Sequence, residues 1–246
     1  MTERRWRWLT AAGTLLACAV AAGHSVYLYW LPCRGAMLSG TILRGYAYGP
    51  EFGEVCLRRM DTGMPFPYPG EPAEQVAGAW PLGVIAMVLA GLAWLILTWG
   101  AGEAVLTEAV VAVPGLLTVG LAVHAVLAVE SFGYGAVLMI LWVLIEVTAF
   151  IAVVVLLAQP GRNRSPLPLV VVAWGSTAFG GFHQIADFVA MMTFSDANWD
   201  VPPGTGYLTT AVLALSAFVT LRYALAGPFP TERRRAAASP LVGHPT

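Results

Sequence analysis

Residues 133–158 read GYGAVLMILWVLIEVTAFIAVVVLLA, an apolar run with a single charged side chain, Glu146, near its middle. A hydrocarbon core about 30 Å thick takes roughly 20 mostly apolar residues at 1.5 Å rise each, so this run is long enough to cross as a helix. Five further runs share its character, at 8–30, 76–99, 109–129, 167–190 and 206–226. The pattern predicts an all-α polytopic membrane bundle of six transmembrane spans over 1–226. A Pro-, Ala- and Arg-rich tail, 227–246, reads as disordered and cytoplasmic.

Composition agrees. Charged residues make up 11% of the chain and hydrophobic ones 58%, against about 25% charged in an average soluble domain. Outside the six runs nothing is long and apolar enough to form a second core. The net charge of −1, with no basic groove or RNA-binding motif, argues against a nucleic-acid partner. All basic residues are Arg and none is Lys, a usage that fits a GC-rich bacterial genome. The expected partners are the lipid bilayer and either another membrane protein or a second copy of the chain.

Basic residues near span ends stay cytoplasmic. Arg4, Arg5 and Arg7, then Arg162 and Arg164, then Arg233, Arg234 and Arg235 fall on one side when six spans put both termini inside. Arg222 snorkels toward the same side. Arg34, Arg44, Arg58 and Arg59 share the opposite side with five acids in the same loop. Trp6 and Trp8 at one edge, and Tyr27, Tyr29 and Trp30 at the other, suit the headgroup level. The expected location is therefore the bacterial cytoplasmic (inner) membrane. The first run continues well past Cys18, which reads as an uncleaved helix and not a signal peptide.

The connection 31–75 is the only long one, and it faces the oxidising side. It holds Cys33 and Cys56, which are expected to pair, while Cys18 lies inside the first run. Closing that loop restricts the unfolded chain by roughly 3 kcal/mol in the chain-entropy account. The cysteines lack the Cys-x-x-Cys spacing of a thiol relay, so the disulfide reads as a structural staple of an outer cap.

Ionisable groups inside the runs are the candidates for chemistry, because burying charge in lipid is costly. They are His24, His124, Glu146, His183 and Asp187. By residue counting the three histidines lie about 6–9 Å outward of the middle of their runs, a shared depth band. His24 extends the small-residue stripe Gly13, Ala17, Ala21; Gly120, His124 and Ala128 repeat that pattern; Ser176, Gly180, His183 and Asp187 fall on one face. An outer-half metal site of His24, His124 and His183 is one expectation, with Asp187 fixing the His183 tautomer from one turn away. Neutral imidazole suits zinc, copper or haem iron, and Met37, Met60, Met64, Met191 and Met192 on the outer side suit copper. Glu146 is expected to be separate and deeper, an intramembrane proton or ion site, or else a neutral carboxyl bonded near Thr148 or Ser176.

No motif fixes a reaction: His-Glu-x-x-His is absent, and no Ser-His-Asp set follows from spacing. Three functional classes remain. The first is a non-catalytic accessory or assembly protein; the second a metal- or haem-dependent membrane redox protein; the third a proton-linked transporter using Glu146. Against the third, the runs show no internal repeat and no paired broken helices. Topology is checked by reporter fusions. Those ending after Gly70 and Ala197 are expected outside, and those after Gly161 and Thr231 inside; a cytoplasmic Gly70 contradicts the six-span reading.

Overall fold

The computed structural model describes residues 3–34, 52–63, 65–66, 76, 78–99, 105–127, 134–158, 166–195 and 201–226. The predicted tail 227–246, much of the 31–75 connection, and Met37 and Ala128 lie outside these residues. Among them the chain is helical and contains no strand. The helices are α1 Glu3–Trp30, α2 Glu54–Thr62, α3 Ala79–Thr98, α4 Val105–Leu127, α5 Tyr134–Ala158, α6 Pro166–Ser176, α7 Gly181–Phe194 and α8 Tyr207–Ala226. Five of them, α1, α3, α4, α5 and α8, are long and apolar enough to cross a membrane.

The run at 167–190 was expected to form one span and does not. It is divided into α6 and α7 by residues 177–180. The cause is local. The Thr177 hydroxyl turns back onto the carbonyls of Ala173 and Trp174, the Gly180 amide closes a tight turn onto Thr177, and Gly180 enters α7 in an extended conformation. Hydropathy summed over a window registers none of these.

The helices close into a ring. α1 packs along α3 and α8, α4 lies between α3 and α5, and the α6–α7 pair fills the gap between α5 and α8. At one end Trp8 stacks on Tyr223 with ring centroids 4.5 Å apart, and Arg7 bonds the Trp99 carbonyl, so the start of α1 meets the ends of α3 and α8. At the other end the Trp30 indole donates to Thr205 at 2.8 Å, and the Tyr29 hydroxyl reaches the carbonyls of Arg59 and Gly63. There a Cys33–Cys56 disulfide, with Cα atoms 5.1 Å apart, ties the end of α1 to α2; Cys18 is a free, buried thiol. Along α8, Thr209 meets Asp187 while Ser216 meets Val171 and Gly175, so α6 and α7 follow one another antiparallel to α8.

Small residues set the helix spacing. Gly91 on α3 and Gly115 on α4 face each other so closely that a Cβ on either would lie 2.7–2.9 Å from the other's carbonyl oxygen. Gly175 touches Ser216 in the same way on the α6–α8 contact. The stripe expected to pack α1 is mostly turned outward: Gly13, Ala17 and His24 are exposed, Ala21 alone of the four is buried, and the buried face is Ala11, Leu15, Cys18, Ala22 and Val26. Outward faces of the ring carry Leu116, Phe150, Phe182 and Phe218, large apolar side chains that lipid accommodates and water does not.

The Gly91 contact yields a test. Alanine in a helix is favoured over glycine by about 0.5–1 kcal/mol. At this position the neighbour is backbone that cannot rotate away, and overpacking costs about 1–3 kcal/mol. Gly91→Ala is therefore expected to lower the thermal unfolding midpoint in detergent, whereas Gly120→Ala, with nothing within 4 Å of the new Cβ, raises it or leaves it unchanged.

Candidate functional site

A helix that begins inside the bundle starts with backbone N–H groups that have no intrahelical acceptor, and in lipid they find no water. At the start of α7 the acceptor is a side chain from another helix. Glu146, midway along α5, presents Oε2 to the Phe182 amide at 2.8 Å and Oε1 to the His183 amide at 3.1 Å. The His183 ring follows its backbone, bringing Nδ1 to 2.7 Å from the same Oε1. Both side chains are largely buried, 10% exposed for Glu146 and 12% for His183.

With Glu146 as a carboxylate, the ring is the donor in the Oε1 contact, which places the hydrogen on Nδ1 and a lone pair on Nε2. The Trp174 ring lies 5.6 Å from the imidazole, centroid to centroid, on its flank.

A second polar cluster lies one turn further along α7. Asp187, fully buried, accepts the Thr209 amide at 2.8 Å and the Thr209 hydroxyl at 2.7 Å through Oδ2, capping the start of α8. Gln184 ties this cluster to the helix break, donating to Thr209 Oγ1 at 3.2 Å and to the Ala178 carbonyl at 2.8 Å. Above the break, Phe66 from the connection before α3 packs edge-on against Phe179 at 5.1 Å, both rings buried.

Several expectations are corrected. Glu146 is not separate from the histidines but contacts His183, and its partners are the backbone of α7, not Thr148 or Ser176. Thr148 donates to the Leu144 carbonyl within its own helix. Asp187 does not hold the His183 ring; that carboxylate belongs to Thr209, and Glu146 takes the ring. The three imidazoles are not gathered. His24 sits exposed beside Tyr27, His124 is half-buried on α4, and among the described residues no group of three His, Cys, Asp or Glu could hold a metal ion. Gln184 and Thr209, which bond each other beside Asp187, are uncharged and are not among the ionisable candidates of the sequence. The signal was an amide beside His183 inside an apolar run, where polar side chains join helices.

Comparison with known proteins adds no relative: no family model, curated protein or solved structure matches the chain. The site therefore rests on its own geometry.

Gly180 gives that geometry a steric test. Its φ of −76° and ψ of 163° suit any residue, so substitution brings no backbone strain. A Cβ there would lie 2.5–2.8 Å from Cγ, Cδ and Oε1 of Glu146. Gly180→Ala is expected to push the carboxylate off the α7 amides and to lose about 1–3 kcal/mol of stability, read by thermal unfolding in detergent. Gly13→Ala, with open space around the new Cβ, is the control that leaves stability unchanged or higher.

Proposed function

We propose that this chain is a proton-linked membrane protein of the bacterial inner membrane, best suited to proton-coupled transport, with Glu146 and His183 sharing the proton. The observation that carries the reading is the 2.7 Å contact between His183 Nδ1 and Glu146 Oε1 at the start of a half-helix. In the resting pair the carboxylate accepts Nδ1–H and Nε2 is open. A proton arriving at Nε2 makes imidazolium beside carboxylate, a neutral ion pair in place of a net negative site. The Trp174 ring favours the cation further. A second proton, on Glu146, would weaken its hold on the Phe182 and His183 amides and release the start of α7.

Six passes with both termini cytoplasmic complete the proposal. Support comes from the order of contacts. α6 shares a cluster with Trp94, Val111 and Leu156, near the ends of α3 and α5 and the start of α4. α7 finishes where Ser195 meets Pro203 and Val201 meets the Met60 carbonyl, beside the disulfide. The broken run thus leads from one end of the ring to the other, and an even number of passes agrees with Trp8 meeting Tyr223. A passive accessory bundle needs neither a broken helix nor a mid-membrane carboxylate, both of which cost stability, whereas discontinuous helices are the usual site-forming elements of transporters.

The test is a pH jump on proteoliposomes adsorbed to a solid-supported membrane, which registers protons entering the protein as a transient current. Wild-type protein is expected to give such a current, and Glu146→Gln to reduce it at least tenfold. Equal currents from the two proteins overturn the reading.

A further inference from the structure

Asp187 caps α8 through Oδ2, which accepts the Thr209 amide and hydroxyl. Its Oδ1 is buried and has no hydrogen-bond partner. One turn earlier on the same helix, His183 Nε2 is likewise buried and without a partner. Residues four apart on a helix have Cβ atoms about 5–6 Å from each other, on one face. Two polar atoms, one basic and one acidic, thus stand unused on one face of α7, and they do not bond each other directly. A water joining them would need two to four polar partners to be held. Trp142 Nε1 on α5 and Ser176 Oγ on α6, both buried and without partners, are further polar atoms on the elements around the break.

Resting on the proton-linked reading above, we infer that Asp187 is the second station of the proton site, exchanging a proton with His183 across one water molecule. In the step, the imidazolium gives its Nε2 proton to the water while the water gives one of its own to Asp187 Oδ1. The imidazole becomes neutral, the carboxylate becomes a carboxylic acid, and the water is regenerated. α7 runs from the break toward the disulfide end, so the transfer carries the proton one turn in that direction. Of the titratable groups on the helices packed against α7, Glu146 on α5 reaches the relay through His183. On α8, Tyr207 feels the charge of Arg34. Asp187 touches no basic side chain among its recorded hydrogen bonds, so a proton is the charge that neutralises it.

The experiment is pH-induced infrared difference spectroscopy on the full chain in lipid, using a variant with Asp187 as its only aspartate (Asp61→Asn, Asp196→Asn, Asp200→Asn) and carboxyl-¹³C aspartate. Because Asp187 is native in that protein, its own folding role is undisturbed. Acidification is expected to raise a carboxylic-acid C=O band that shifts with the isotope, and Glu146→Gln or His183→Gln in the same background is expected to change the pH at which the band rises. Asp187→Asn keeps an oxygen for the Thr209 donors but no proton acceptor, and is expected to slow the decay of the pH-jump current at least tenfold. No isotope-sensitive band overturns the relay, as does a band indifferent to both substitutions, or an unaltered current in Asp187→Asn. If Glu146→Gln still removes the current in those cases, the Glu146–His183 reading stands and only the Asp187 station falls.

Discussion

Breaking a helix inside a membrane frees backbone N–H groups that lipid cannot satisfy, and in this bundle the Glu146 carboxylate takes two of them. The remaining features of the site follow from that contact. It fixes where α7 begins, and therefore where His183 points. It places Oε1 where it meets the His183 amide and the His183 Nδ1 together. It also requires Gly180, because any side chain there would occupy the space of the carboxylate.

The segment so positioned is bound at several points. α7 is held to α8 through Asp187 and Thr209, to the turn before α8 through Ser195 and Pro203, and back across the break by Gln184 and Ala178. Phe66 presses on Phe179 from the connection that follows α2, and the Pro65 carbonyl accepts the Ser25 hydroxyl of α1. α7 is thus a short helix held at its start by Glu146 and further along by α8 and the turn before it.

Much of this was legible in the sequence. Apolar run length found five helices, because spanning length is a summed property that tolerates local detail. Glu146, His183 and Asp187 were singled out because charge in lipid is conspicuous. What could not be read was pairing. Spacing along one helix favoured Asp187 for His183, but Asp187 is engaged by Thr209 of α8 and a carboxylate from α5 takes the ring. The small-residue stripe on α1 misled for a related reason: Gly13 and Ala17 permit close packing without requiring it, and α1 turned its Leu15 and Cys18 face inward. The break itself was written in Thr177, Gly180 and Gly181, residues that any hydropathy window averages away.

The central proposal is that Glu146 holds the hydrogen of His183 on Nδ1 and leaves Nε2 to accept the incoming proton. Nitrogen NMR of ¹⁵N-histidine-labelled protein in nanodiscs, with His183 assigned by its loss in His183→Gln, tests this directly. The expected result is an Nδ1 that stays protonated across the titration while Nε2 gains a proton, a pattern lost in Glu146→Gln. An Nδ1 that itself titrates, or a His183 spectrum unchanged by Glu146→Gln, would contradict the account.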